Sequence, residues 1–482
     1  DAVSGLQEAR FGTGLAYLLH YPYGCIEQTT SSAFPLLYFD EVARAAAPDR
    51  FADTKASFYV QEGIKRIESM MEPRGDFSYW PGGGGVNYWC STYASHFLVE
   101  ARAKGYAVSD RVLAGLREAM KRRAKGDQPD RYAWYDGGGD PTRVYACLVL
   151  ALLGEPDLAT MNYFREQKLG GLSAGSRAQL AQAYALSGDR KRARELVPSE
   201  IPPETGDRET GGTLSTPVRD TAILLEACHE IDHAHPAIPG LVRRLVDAAP
   251  QGQWSGTQEN AFALKALGKV FANARKGSLA GSLWVDGKKR KSLEAKGVTS
   301  LTGADLTGKA VEVRVEGDAT AYFYWQADGI VDDPAPAPAY DRELGVRRSY
   351  LSRDGTPVAL DGVHQGDLIV AEVTLSGARR ALSNLAIVDL LPAGFEVENP
   401  RLQGREGLAW VAAKPGRVDY LDIRDDRVML FTALAAGESA SYYYTLRAVS
   451  AGTFVLPPVK AEAMYDPTVT SVFGAGEVRI AP

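Results

Sequence analysis

The chain has 482 residues, a mass of 52.0 kDa and a formal charge of −6, with 45% hydrophobic and 24% charged residues. That length exceeds one ordinary hydrophobic core and predicts two or three domains, while the near-average composition argues against disorder, collagen and a disulfide scaffold. The acidic balance gives no basic field for nucleic acid or anionic lipid; no apolar run is long enough to span a bilayer, and the chain opens without an initiator Met or signal pattern, as a mature piece of something larger would.

The first informative stretch is YPYGCIEQTTSS at 21–32, where Cys25 stands at the start of an apparent helix with Gln28 three residues on. From there to about residue 272, Ala- and Leu-rich stretches broken by Gly or Pro predict roughly a dozen helices. A clear case is Thr216-Pro217, a cap and first-turn proline, followed by Val218, Ala222, Leu225 and Cys228 on one face. Within this half a loop rich in Gly and aromatics three times runs into an apolar helix, around Trp80, Trp134 and Trp254, and GGLSAGSRAQLAQAYAL from Gly170 resembles a fourth copy without its Trp. Repeated helical hairpins of this kind suggest a closed α/α toroid with the loops gathered at one end, although ordinary core packing also accounts for the aromatics. Cys25, Cys90, Cys147 and Cys228 show no CxxC or zinc spacing. His229 and His233, with Asp232 and His235 nearby, have a spacing that can bind a divalent metal; histidines at a helix end more commonly meet the dipole and solvent, so neither a metal nor another cofactor is expected.

After residue 275 the apolar period falls to two. SLWVDGKKRKSL predicts a hairpin about Asp286-Gly287, and AVEVRVEGDATAYFYWQA alternates before turning aromatic. DDPAPAPAY reads as a stiff linker because its prolines fix φ and block helix. Beyond it DLIVAEVTLS, LAIVDLL and SYYYTLRAV are strands at sandwich spacing.

Residues three apart share one side of a helical turn, so the Cys25 sulfur and the Gln28 carboxamide can meet. Gly24 relieves crowding before the turn, and a helix N-terminus favours thiolate over thiol. Attack of that sulfur on the carboxamide with loss of ammonia would store an acyl group as an internal thioester. The plainer alternative is a small buried Cys25 beside a surface Gln28, since a Cys-x-Glu-Gln tetrapeptide arises by chance in about one chain per hundred of this length. Tyr21, Tyr23, Phe77, Tyr79, Trp80, Tyr88 and Trp89 add the dry aromatic setting that a water-labile bond needs.

YPYGCIEQTTSSAFP, FSYWPGGGGVNYWCSTYASHFLVEA and WSGTQENAFALKAL resemble the thioester domain of the α2-macroglobulin and complement superfamily, above all its bacterial α2-macroglobulins, while RRSYLSRDG and EAMYDPTVTSVFGAG resemble the C-terminal macroglobulin-like domain. The resemblance implies a thioester between Cys25 and Gln28 with Glu27 as the motif acid, shielded by Tyr21, Tyr23 and Trp80 and by a loop bearing Met464 and Tyr465. It implies an α/α-toroid thioester domain over 1–272, the C-terminal half of a CUB-like β domain over 273–331, a Pro/Ala linker over 332–339 and a macroglobulin-like β-sandwich over 340–482. Ile26 stands where vertebrate members carry Gly; bacterial relatives accept a branched apolar residue there.

The implied activity is that of a broad-spectrum protease inhibitor fragment, not an enzyme: a trap that reacts once and holds host or competitor proteases covalently through lysine. The implied setting is the periplasm of a Gram-negative bacterium, with lipid anchoring of the full-length protein outside this stretch left open, and nucleic acid is not an expected partner. Some complement members pass the acyl group through a downstream histidine; none occurs here between His96 and His229, so direct attack by amines is expected. Two other classes compete: an α/α-toroid enzyme of terpene cyclase or prenyltransferase type, against which stands the lack of a DxDD motif and of a convincing zinc triad, and a non-catalytic binding module built on the β domains.

Overall fold

The computed structural model describes residues 2–4, 14–15, 17–18, 24–38, 55–83, 85–127, 138–198, 208–249, 252–272, 279–293, 308–317, 322–324, 338–377, 379–398 and 416–482. The chain divides into two compact units, Asp1–Gly329 and Ile330–Pro482.

The first unit begins with a short strand, β1 (Ala2–Ser4). Residues 14–15 and 17–18 are helical, and after them come α1 (Ile26–Ala33), α2 (Ala56–Ser69), α3 (Tyr88–Ala103), α4 (Asp110–Lys125), α5 (Asp140–Leu152), α6 (Leu158–Tyr163), α7 (Ala174–Leu186), α8 (Arg190–Leu196), α9 (Pro217–Ile231), α10 (Ile238–Asp247) and α11 (Thr257–Ala272). The odd-numbered helices pack each on the next, α1 on α3 through to α9 on α11, and α11 returns to α1, so they close an inner ring. The even-numbered helices lie outside against them, which makes this half an α/α toroid.

Burial separates the two layers. Every residue of α3 from Tyr88 to Ala101 is buried, as a helix surrounded by protein requires. Outer α4 buries only Val112, Leu116, Ala119, Met120, Arg123 and Ala124, a single stripe, and ends on Gly126 at φ +81° in the left-handed conformation that stops a helix. The Thr216 hydroxyl caps α9 by accepting from the Arg219 N–H at 3.2 Å, with Pro217 in the first turn and Ala222, Leu225 and Cys228 buried, as the sequence predicts.

The remaining strands of this unit follow α11. β2 (Leu279–Val285) pairs with β3 (Lys288–Leu293) and with β4 (Val311–Gly317), and Asp286 and Gly287 turn the hairpin with φ of +47° and +71°, the signature of a primed turn. β5 (Tyr322–Tyr324) pairs antiparallel with β1, Ala2 opposite Tyr324 and Ser4 opposite Tyr322. The helical domain expected to start at residue 1 therefore begins with strand, and the ring is inserted between two strands that are neighbours in space. Of the expected 332–339 linker only residues 338 and 339 are described.

The second unit is a β-sandwich. Six strands run in the order Tyr420–Arg424, Arg427–Leu434, Leu382–Leu390, Val459–Ala463, Asp466–Phe473 and Tyr340–Arg342, and four in the order Phe395–Val397, Ala440–Ala448, Leu368–Ser376 and Gly345–Leu351. Val346, Val373 and Leu375 from the smaller sheet meet Leu385, Ile387, Leu430 and Ala461 from the larger in one core. A third, three-stranded sheet, Gly452–Leu456, Gly476–Ala481 and Val363–His364, packs Val363, Val478 and Ile480 with Ile369, Phe395 and Leu446 of the smaller sheet in a second core.

Candidate functional site

The first residues of α1 are held from three directions. Cys25 is the N-cap, extended at φ −67° and ψ 168°, and its carbonyl accepts the first helical bond from the Thr29 N–H at 3.0 Å. The Ile26 N–H, which the helix itself cannot satisfy, donates to the Tyr79 carbonyl at 2.9 Å, and the Tyr79 N–H donates to the Gly85 carbonyl at 2.8 Å. The Arg66 guanidinium of α2 donates to the Gly24 carbonyl at 3.0 Å, an approach open only because residue 24 is glycine: a Cβ there would lie 2.1 Å from the same nitrogen.

Cys25 and Gln28 occupy the N-cap and N3 positions, the two ends of a capping box, in which the N3 side chain reaches back toward the cap. Both are buried, at 0% and 1% exposure. Unlike a capping-box glutamine, Gln28 has neither its amide nitrogen nor its oxygen in a hydrogen bond. A buried carboxamide left so costs about 1–3 kcal/mol.

Glu27 is fully buried. Its Oε1 accepts from the Ser31 hydroxyl at 2.5 Å and from Gln258 Nε2 at 2.9 Å, and the Thr257 hydroxyl lies 3.0 Å from both carboxylate oxygens. Thr257 and Gln258 open α11, where the helix dipole favours an anion. Neither was singled out from sequence; WSGTQENAFALKAL carried them without a role.

Trp80 is buried in the loop that supplies the Tyr79 carbonyl, its ring edge-on to Tyr79 with centroids 5.5 Å apart. Tyr21 and Tyr23, like His20 and Trp134, lie outside the described residues. Met464 and Tyr465 form the turn between Val459–Ala463 and Asp466–Phe473 in the second unit, both 3% exposed, with the Met464 N–H on the Asn384 carbonyl at 3.0 Å. The rest of that motif has a structural reason: Asp466 accepts from the Thr468 N–H and hydroxyl and from Arg380 at 2.6 Å.

The cysteines differ in setting. None is in a disulfide and all are buried. Burial, with the charge of Glu27, pushes the Cys90 thiol well up, and burial pushes Cys147 and Cys228 up to about 12, so these three stay protonated.

His96 is a packed core histidine. Its Nδ1 meets the Tyr145 hydroxyl and its Nε2 meets Glu100 Oε1, both at 2.8 Å, and burial together with Lys265 lowers its pKa to about 4. Glu100 also accepts from Lys269 at 2.7 Å and from the Tyr38 hydroxyl. Lys265 pairs with Glu226 at 3.1 Å, so a charged network joins α3, α5, α9 and α11 inside the ring. His229 and His233 face each other with their Nδ1 atoms 3.4 Å apart; no group of three His, Cys, Asp or Glu placed to hold a metal occurs among the described residues.

Two family models match: the A-macroglobulin TED domain over residues 4–117 and the bacterial α2-macroglobulin MG10 domain over 344–468. The chain is 29% identical along its whole length to an α2-macroglobulin of Xylella fastidiosa strain Temecula1 and 27% identical over 96% of its length to that of Escherichia coli K12. Over these stretches the chain is similar to the bacterial α2-macroglobulins. It spans 30% and 29% of those two α2-macroglobulins. A crystal structure of Salmonella α2-macroglobulin reacted with methylamine superposes on all of it with a TM-score of 0.78 at 26% identity, over 31% of the Salmonella chain. No described helix is long and apolar enough to cross a membrane.

Proposed function

We propose that Cys25 and Gln28 form an internal thioester and that the protein uses it once, as a covalent trap for proteases. The observation that carries the reading is Gln28: a carboxamide sealed from water, three residues from an N-cap cysteine, with no hydrogen-bond partner. In the closing step the Cys25 sulfur adds to the Gln28 carbonyl carbon, the C–N bond breaks, and the thiol proton leaves with the nitrogen as ammonia. The product has no N–H left to satisfy, which removes part of the cost that the free amide carries in this site.

In the trapping step a protease lysine attacks the acyl carbon, its nitrogen gives up a proton, and Cys25 leaves as the thiol. Both ring nitrogens of His96 are engaged and its lowered pKa makes it a weak base, which favours direct amine attack over an imidazole intermediate. Trp80, Tyr21, Tyr23, Met464 and Tyr465 are the proposed shield, on the family resemblance, and Trp80 is buried beside the Tyr79 carbonyl that holds α1. The domain division above, a periplasmic location and protease partners rest on the same resemblance; the reaction of the Salmonella relative with methylamine is consistent with an amine-sensitive bond.

Mass and thiol titration test the reading. The intact chain should weigh one ammonia less than its sequence; methylamine should free the Cys25 thiol, add methylamide at Gln28, and do neither in Cys25→Ser. A full-mass chain with a titratable Cys25 before any treatment would overturn it.

A further inference from the structure

We propose that Thr257 and Gln258 are positioning residues for the thioester: by holding Glu27 they fix the four-residue turn in which Cys25 and Gln28 must meet. This rests on the thioester reading above. α1 has only eight residues and no side-chain cap at Cys25, and a helix that short does not hold its shape alone. Residues two apart on a helix do not share a face, so Glu27 is the residue of the motif free to face away from the bond, and its partners lie 230 residues along the chain on α11. The motif acid is thus an anchor, tying the first inner helix to the last where the ring closes, and the acyl-forming pair sits on either side of it in sequence.

The geometry separates this role from proton transfer. The Glu27 carboxylate accepts from Ser31, Thr257 and Gln258, donors suited to holding an anion in place. Without them the buried carboxylate must either take up a proton or swing outward, and a swing carries Ile26 and Gln28 with it. Among the described residues, Cys90 and Tyr93 on α3 feel the Glu27 charge, which helps retain their protons, and Cys25 and Arg219 also act on Cys90. Tyr93 reaches the site through Ser31, 3.3 Å from its hydroxyl. Further along α11, Glu259 is paired with Arg208 at 3.0 Å.

The test compares Thr257→Val, Thr257→Ser and Gln258→Glu in the full chain, reading thioester content by mass and by methylamine-released thiol, and folding by thermal unfolding. Thr257→Val should lower thioester content several-fold and Thr257→Ser should restore it. Gln258→Glu sets a carboxyl against Glu27 in place of a donor; two buried carboxyls share one proton whose pKa is strongly raised and lose it only as pH rises, so thioester content should fall as pH is raised from acid to alkaline while the wild type stays level. Wild-type content in folded Thr257→Val, or a pH-independent Gln258→Glu, would overturn the positioning role. A wild-type chain without thioester would instead overturn the reading beneath it. If Thr257→Val does not fold, Gln258→Glu decides, because its pH profile is read against itself.

Discussion

The Ile26 N–H and the Tyr79 carbonyl, 2.9 Å apart, join the first helical residue after Cys25 to a loop more than fifty positions away. That loop keeps its shape through the bond from Tyr79 to Gly85, and Gly85 sits at φ +94°, a backbone that L residues resist. We expect Gly85→Ala to destabilise the first unit by about 1–3 kcal/mol and to hasten thioester loss in water. Denaturant unfolding and the rate of thiol appearance are the two measurements; an unchanged rate in a destabilised variant would show that the loop does not guard the bond.

The pair Lys269 and Glu100 gives a stability prediction. The Glu100 carboxylate would be pushed up by burial, but Lys269 and His96 hold it well below its ordinary value. Lys269→Met removes one partner and leaves the buried anion short, at a cost of about 3–5 kcal/mol. Lys121→Ala breaks an exposed pairing with Glu118 and Glu155, which solvent screens, and should leave stability nearly unchanged. Urea titrations of the two variants provide the comparison.

Acid should act through histidine before it acts through carboxylates. His96 and His229 have folded values of about 4 against 6.5, for burial first. The folded state therefore binds fewer protons than the unfolded between those limits, and stability is full above pH 6.5 and falls as pH drops toward 4. For His96 the loss is on the order of 3 kcal/mol. His96→Gln should flatten that limb by about one proton while leaving amine coupling intact; an unchanged pH slope, or lost coupling in folded protein, would contradict the packed-core assignment.

In the second unit the decisive contact is Arg348 with Asp389, both nearly sealed from solvent. Arg348 also donates to the Pro457 and Gly474 carbonyls, and Tyr444 donates to Asp389 at 2.6 Å. Arg348→Met should cost about 3–5 kcal/mol, whereas Arg347→Met, which loses an exposed pair with Asp341, should cost under about 1 kcal/mol. Calorimetry on both variants checks the contrast.

What the sequence made legible was local chemistry. A cap and a first-turn proline announced α9, two turn residues announced the Asp286-Gly287 hairpin, and alternation announced the sandwich strands, because each signal lies within a few residues of its effect. The helix start at Cys25 and Gln28 was readable for the same reason. The repeat suggested the ring, but the β1–β5 pairing and the grip of Thr257 and Gln258 on Glu27 join positions hundreds of residues apart, and no spacing encodes them. Lys265 and Lys269 were obscured differently: in a helical pattern lysine reads as solvent-facing, and only the ring supplies Glu226 and Glu100 to justify its burial. RRSYLSRDG carried its buried arginine unmarked, since Arg347 and Arg348 are neighbours that differ only in which side of the strand they take.

The pairing of Ala2–Ser4 with Tyr322–Tyr324 has a mechanical consequence. Ala2 lies opposite Tyr324, so a pull between residues 2 and 324 meets the outermost rung first and the three rungs open one after another, like a zip, without sharing the load. The helical ring and the β2–β4 sheet both lie on the chain between the two halves of that clasp. Tension along the chain would then part these strands at low force, before it loads the helices that carry the bond-forming pair and its anchor.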